Sequence, residues 1–95
     1  MDHQPPTLEL LESRHRFPCP FTFKVIGPTG THLPARAAAC VQASLGLEAP
    51  PTYGVKAAAG GRHESVTLEP TCPDATSVID LYAALRQLEG VMFLF

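Results

Sequence analysis

The segment Phe17-Pro18-Cys19-Pro20-Phe21-Thr22-Phe23-Lys24-Val25-Ile26-Gly27 is the part of this chain from which its fold is most easily predicted. Phe21, Phe23 and Val25 recur with a period of two, which is typical of a β-strand with one buried face. The two prolines cannot donate to a sheet ladder, so we expect them before the strand or at its start. The sequence therefore predicts a central strand that ends at Gly27-Pro28 and that the remaining elements cover on one face.

Composition limits the class of protein. The chain has 95 residues, enough for one domain with a modest core, and it is 45% hydrophobic and 17% charged, as globular proteins are. The net charge is −2 without a basic block, which argues against nucleic acid or an anionic membrane surface as partner. No apolar run is as long as a membrane span, and the first residues lack the pattern of a signal peptide, so we expect a soluble cytoplasmic protein.

The elements that follow the first strand are separated by prolines and glycines. We predict a helix from an N-cap near Thr31 to Leu45 and a second helix capped by Asp74, with an apolar stripe formed by Val78, Leu81, Tyr82, Leu85 and Leu88. Further strands are predicted over Thr52–Ala58, Arg62–Glu69 and Val91–Phe95, the first two joined by a Gly60-Gly61 turn.

The order strand, helix, strand, strand, helix, strand predicts an α+β fold. It is a ferredoxin-like βαββαβ sandwich with a four-stranded antiparallel sheet and two helices on one face. The first and third of these strands are then central and the others are edges. Residues 1–16 are predicted to be a flexible N-terminal tail, and residues 17–95 the domain.

Three segments carry a family resemblance. The first is Phe17-Pro18-x-Pro20-Phe21-x-x-Lys24-Val25-x-Gly27; the others are residues 61–68 and 78–85. Together they resemble the YbeD-like family, small bacterial proteins that contain a domain of unknown function, over about residues 8–95. The resemblance implies a ferredoxin-like fold close to ACT regulatory domains, and it implies no catalytic residues. The longer segment before the first helix departs from the family pattern.

Known chemistries of ferredoxin-like sandwiches do not match these residues. An acylphosphatase-like site needs an arginine in the first loop and an asparagine, but that loop is Gly27–His32 and the chain contains no asparagine. An RNA-recognition domain needs aromatic residues on its third strand, and Arg62–Glu69 has none. We therefore predict a non-enzymatic regulatory or interaction module with no cofactor. The alternatives are an enzyme whose site is completed at a subunit interface and a purely structural adaptor.

Cysteines and histidines give no metal-binding pattern. Cys19, Cys40 and Cys72 are widely spaced, and the four histidines are scattered, so we expect no metal site. The predicted topology places the start of the first strand beside the end of the third. Cys19 and Cys72 are therefore expected to be neighbours, as free thiols in the cytoplasm.

Two surfaces are candidates for binding a small metabolite or a protein partner. In the first loop, Gly27, Gly30 and Thr31 lead into a helix N-terminus, where free N–H groups attract anions. Lys24 and His63 are expected on the open face of the sheet. The alternatives are an ordinary connecting loop and an ordinary solvated sheet face.

The last strand predicts a covered or paired surface. One of two sets, Val91/Phe93/Phe95 or Met92/Leu94, must point away from the helices, and an apolar edge strand is usually covered or paired. The cover is either the leucine-containing segment Leu8–Leu11 of the same chain or a second subunit. We favour the second subunit, which would make the protein a homodimer.

Overall fold

The computed structural model describes residues 6–95, which form three helices and six short strands. The helices are α1 (Leu8–Arg14), α2 (Leu33–Leu45) and α3 (Ala75–Arg86). The strands are β1 (Cys19–Pro20), β2 (Phe23–Pro28), β3 (Tyr53–Ala57), β4 (His63–Leu68), β5 (Thr71–Cys72) and β6 (Phe93–Leu94). The α+β class predicted from the sequence is confirmed.

Four strands form one antiparallel sheet in the order β3-β4-β2-β6. The strand predicted to be central, β2, lies between β4 and β6, while β3 and β6 are the edges. Val25 of β2 lies opposite Val66 on one side and opposite Leu94 on the other. Because opposite residues of antiparallel strands share a face, this row fixes which side chains of all three strands point to the core.

The core lies between one face of this sheet and helices α2 and α3. Phe23 and Val25 of β2 and Val66 and Leu68 of β4 are fully buried, as their period-two spacing predicts. The helices bury residues at helical spacing: Leu33, Ala37 and Val41 on α2, and Val78, Leu81 and Leu85 on α3. Three residues that we expected to be mostly buried, Phe21, Tyr82 and Leu88, are half-buried at the margin of this core.

The two long helices begin differently. Asp74 caps α3 as predicted: its carboxylate accepts from the Ser77 backbone N–H, and the Asp74 backbone N–H donates to Ser77 Oγ, forming a capping box. The predicted N-cap of α2 was wrong. The cap is His32, which has a left-handed backbone (φ 58°) and makes no side-chain cap bond, while Thr31 Oγ1 donates to the Pro28 carbonyl.

A second, two-stranded ladder was not predicted. β1 and β5 pair antiparallel beside the main sheet, with Cys19 directly opposite Cys72 and Pro20 opposite Thr71. The expected proximity of Cys19 and Cys72 is confirmed, and all three cysteines are free thiols. Pro20 is compatible with this ladder because the ladder is short and lies outside the main sheet.

The segment before residue 17 contains a docked helix. Thr7 caps α1 by accepting the Leu10 N–H, and Leu11 is buried in the core cluster while α1 packs against α3. Leu8 and Leu10 stay exposed. The division of the chain at residue 16 and the flexibility of its first residues stay predictions. Part of that prediction concerns residues 1–5, which lie outside the described residues.

The last strand is shorter than predicted. β6 covers Phe93–Leu94 instead of Val91–Phe95, although Lys24 and Phe95 still exchange two backbone hydrogen bonds of 3.0 and 2.9 Å. Between residues 6 and 95, no helix has the length and the apolar content needed to cross a membrane.

Candidate functional site

The open face of the sheet, opposite the helices, is the first of two candidate surfaces. One row of residues crosses this face in the order Gly54, Thr67, Lys24, Phe95. The next row on the same face contains Lys56, Ser65, Ile26 and Phe93. We call these eight residues the open-face surface.

An apolar cluster occupies the β6 side of the open-face surface. The rings of Phe93 and Phe95 are nearly parallel, with an interplanar angle of 17° and centroids 6.5 Å apart. Ile26 lies directly opposite Phe93, and Phe95 is 40% exposed. Apolar groups on an otherwise polar face gain from removal from water, so this cluster favours contact with a partner.

The structure decides which side chains of the last strand point outward. Leu94 is fully buried, so Phe93 and Phe95 belong to the open face. Helix α1 packs against α3 and not over the aromatic pair, with Leu11 directed into the core. The leucine-containing segment, the less favoured of the two alternatives considered from the sequence, therefore does not cover Phe95.

Lys24 and His63, predicted for the open face, both belong to it. Lys24 is exposed, with Thr67 opposite it on β4. His63 lies opposite Pro28, at the far end of the same ladder, so the register separates the two. The strand brings Lys24 beside the aromatic pair, whereas His63 lies closer to the first loop. Their participation in binding stays a prediction.

The second candidate surface is a cleft of about 330 Å³ between the β2–α2 loop and the α3–β6 loop. It is lined by Pro28, Thr31, Arg36, Glu89 and Gly90. Of the loop residues predicted from the sequence, Thr31 lines this cleft. Gly30 lies at the exposed tip of the loop with φ 77°, a backbone conformation that glycine adopts readily.

Arg36 joins the two loops of this cleft. Its Nε donates to the Thr31 carbonyl at 3.0 Å, one terminal nitrogen donates to the Glu89 carbonyl at 3.0 Å, and the other donates to Thr31 Oγ1 at 3.3 Å. A guanidinium has five N–H donors, so these three bonds leave two for another acceptor. The cleft thus presents a positive charge held in a fixed orientation by both loops.

Gly27 lies where two parts of the chain pack too closely for a side chain. It is buried, and a Cβ atom added to it would stand 2.8 Å from the Gly90 carbonyl oxygen and 2.8 Å from Cδ2 of Leu33. The absence of a side chain lets the α3–β6 loop approach β2 closely, and Glu89 and Gly90 of that loop line the cleft. The predicted role of Gly27 in ligand binding stays untested.

The sequence did not indicate Arg36 as a candidate site residue. The only available signal was its position one turn into the predicted helix, where a long basic side chain can fold back toward the preceding loop. Its second anchor, the Glu89 carbonyl, is 53 residues away in the chain, so no local pattern indicates the bridge.

The ionisable groups with altered pKa values are all partly or fully buried. Burial raises the pKa of the Cys40 thiol and of the Tyr82 hydroxyl. Burial, with a smaller contribution from nearby Cys19, raises the pKa of Cys72 to about 11. A thiol with such a pKa is protonated at neutral pH, so Cys72 lacks the thiolate that nucleophilic catalysis requires. Among residues 6–95, no three His, Cys, Asp or Glu side chains are grouped so as to hold a metal ion.

Fold and surfaces define a class: a small α+β module with helices on one sheet face and an aromatic–lysine surface on the other. A family model described as "Protein of unknown function (DUF493)" matches residues 12–95. The chain belongs to this DUF493 family, which confirms the resemblance seen in the sequence.

Individual relatives support the assignment. A UPF0250 protein of Shewanella oneidensis is 39% identical over 83 residues, which cover 87% of this chain and 88% of that protein. A UPF0250 protein of Shewanella sediminis is 34% identical over 83 residues with the same coverage. These names assign no activity to either relative.

Proposed function

We propose that this protein is a non-enzymatic interaction module with a ferredoxin-like, ACT-like architecture, and that it binds a protein partner through the open-face surface. The order β3-β4-β2-β6, with α2 connecting β2 to β3, supports the ferredoxin-like assignment. A cytoplasmic location stays part of the same proposal.

The observation that carries the proposal is the stacked pair of Phe93, which is half-buried, and Phe95, which is exposed, beside Lys24. Aromatic side chains are enriched in the binding surfaces of proteins, because they bury a large area with little loss of side-chain freedom. The backbones of Lys24 and Phe95 exchange two hydrogen bonds, so the lysine side chain starts next to the aromatic cluster. Ile26 extends the apolar area toward the centre of the sheet.

This arrangement favours a partner of particular chemistry. The aromatic pair and Ile26 would accept apolar side chains, and Lys24 and Lys56 would pair with carboxylates. We therefore expect a partner segment in which apolar residues are combined with aspartate or glutamate. Binding would weaken with salt, because the lysines are exposed and their interactions are screened.

Affinity capture with matched variants tests this function. The full chain and the variants Phe95→Ser and Lys24→Glu are used as baits in extracts of the native cell. Leu8→Ser is the control, because Leu8 is similarly exposed, at 41% against 40% for Phe95, but lies on α1. A partner that is retained by wild type and the control but lost from both open-face variants supports the proposal. Identical sets of captured proteins for all four baits would contradict it.

The Arg36 cleft supports a second candidate function, the binding of a small carboxylate or phosphate. The two remaining N–H donors of Arg36 could hold such a group in a bidentate manner. Because Arg36 also binds Thr31 and Glu89, a bound ligand would affect the position of both loops. A thermal-shift series with inorganic phosphate and dicarboxylates tests it, because a bound ligand raises the melting temperature with concentration. The shift should disappear in Arg36→Gln. A shift of equal size in that variant would exclude the cleft as the binding site.

A further inference from the structure

Within residues 6–95, no strand pairs with the outer edge of β3, and the proposed partner-binding cluster of Phe93, Phe95 and Lys24 lies on the other side of the sheet, although Gly54 and Lys56 of β3 also belong to the open-face surface. All five residues of β3 are exposed. Tyr53 and Val55 lie opposite Leu68 and Val66, so they belong to the helix-side face, yet they are 45% and 49% exposed. The helices therefore do not cover the last column of apolar side chains in the sheet.

The backbone pattern of β3 defines what this edge can bind. The Ala58 N–H donates to the His63 carbonyl at 2.8 Å, which makes Ala58 and His63 a hydrogen-bonded pair of the β3–β4 ladder. In an antiparallel ladder such pairs alternate, so Lys56 and Gly54 also direct their backbone groups toward β4. Tyr53, Val55 and Ala57 consequently direct their N–H and C=O groups away from the sheet.

We propose that the β3 edge pairs with β3 of a second copy of this chain, antiparallel about a two-fold axis through Val55. In this register Val55 lies opposite the partner copy's Val55. The outward backbone groups of Tyr53, Val55 and Ala57 then form three hydrogen-bonded pairs with the same groups of the second copy. The two four-stranded sheets join into one continuous sheet.

Side-chain size supports this register. It places Tyr53 opposite Ala57 of the second copy and Lys56 opposite Gly54, so a large residue meets a small one at each position outside the centre. The Lys56–Gly54 pairs are non-hydrogen-bonded pairs, in which side chains approach most closely. Because Gly54 has no side chain, it leaves room for the lysine of the opposite strand. On the helix-side face, Tyr53, Val55 and Ala57 form an uninterrupted apolar strip with their counterparts.

A hollow beside Gly54 provides the charge complement. It has a volume of about 270 Å³ and is lined by Thr52, Tyr53, Gly54, Thr67 and Glu69. A Cβ atom placed on Gly54 would meet nothing within 4 Å, so the space above this residue is open. Lys56 of the second copy enters this hollow from across the interface, and its ammonium group approaches the Glu69 carboxylate. The two-fold axis produces the same contact twice.

Other registers satisfy fewer of these groups. A two-fold axis through Lys56 places the two lysines opposite each other, and like charges in that position destabilise a sheet. An axis through Gly54 places Lys56 opposite Thr52 and away from Gly54, so the lysine side chain no longer faces the open hollow. A lysine on an edge strand discourages indiscriminate pairing, and here only the Val55-centred register gives it a complementary site.

Sedimentation velocity of the full chain over a range of concentrations tests the proposal. Wild type should dimerise. Val55→Pro should be monomeric, because it removes an outward N–H that the β3–β4 ladder does not use. Gly54→Thr fills the hollow and should raise the dissociation constant at least about tenfold. Phe95→Ser, on the opposite edge of the sheet, should dimerise like wild type, which also separates this interface from the proposed partner-binding surface.

A charge exchange gives an independent measurement. Lys56→Glu should raise the dissociation constant about tenfold, and the double variant Lys56→Glu/Glu69→Lys should recover most of the loss. Circular dichroism verifies folding of every variant, and if Val55→Pro does not fold, Gly54→Thr and the charge exchange decide the outcome. A wild-type chain that stays monomeric at the highest concentration, or a dimer that Gly54→Thr and the charge exchange leave unchanged, would overturn the proposal.

Discussion

Two glycines in neighbouring regions of the sheet should respond in opposite ways to the same substitution. At Gly27, an added methyl group would stand 2.8 Å from the Gly90 carbonyl oxygen and 2.8 Å from Cδ2 of Leu33. At Gly54, the added methyl group would have no heavy atom within 4 Å. The perturbations are Gly27→Ala and Gly54→Ala, which are chemically identical and differ only in their surroundings.

The magnitude at Gly27 follows from which atoms can move. Leu33 is fully buried, so its side chain cannot move out into solvent. The Gly90 carbonyl belongs to a loop that Arg36 holds through the neighbouring Glu89 carbonyl. The methyl group therefore displaces the loop or distorts the core, and overpacking of this kind costs about 1–3 kcal/mol.

At Gly54 the sign is reversed. Glycine in a strand costs roughly 0.5–1 kcal/mol relative to alanine, because it loses more conformational freedom on folding. With no steric conflict, Gly54→Ala should leave the free energy of unfolding unchanged or raise it by up to about 1 kcal/mol.

Urea unfolding followed by circular dichroism measures both effects. It is performed at low protein concentration, so that self-association does not contribute to stability. For a slope of about 1–3 kcal/mol per molar urea, Gly27→Ala should lower the midpoint by roughly 1 M. Equal midpoints for Gly27→Ala and Gly54→Ala would refute the close approach of β2 and the α3–β6 loop, and with it the geometry of the cleft.

Further outcomes concern the core and the thiols. Leu85→Ala should cost about 2–5 kcal/mol in urea unfolding by leaving a cavity, and a loss below about 0.5 kcal/mol would contradict its place in the core. Cys19 and Cys72, opposite each other on β1 and β5, should form an intramolecular disulfide on treatment with diamide, because facing residues of such a ladder are about 4.5–5.5 Å apart at Cα. Mass spectrometry detects it, and a product that links Cys40 instead would be inconsistent with the ladder. The raised pKa of Cys72 means that folding favours the protonated thiol, so the stability it contributes is complete below pH 9.0 and is lost as pH rises toward about 11. Between pH 9.0 and about 11, the free energy of unfolding of Cys72→Ala should therefore fall less than that of wild type, as measured by urea unfolding.

Local sequence patterns were enough to predict the main elements and to indicate the family. The predictions of β2, β4 and α3 rest on local patterns. The two strands show period-two alternation and the helix shows helical spacing, and each pattern lies within about a dozen residues. The Asp74 cap was readable for the same reason, since the group it satisfies is three residues away. The central place of β2 also followed, because the order of elements allows few arrangements of the sheet.

The candidate binding surfaces, in contrast, depend on contacts between residues that are far apart in the chain. The two faces of the apolar strand β6 are alike in sequence, and its register against β2 turns Leu94 inward and Phe93 outward. Arg36 acquires its role from a carbonyl in a distant loop. Tyr53 and Val55 have the spacing of a half-buried strand, but they stay exposed because β3 lies at the sheet edge, where the helices do not cover it. Local periodicity specifies that a face is apolar, whereas long-range packing specifies what covers it. The open-face surface and the β3 edge arise where the helices leave apolar side chains uncovered, whereas the Arg36 cleft arises where two loops that are distant in the chain meet.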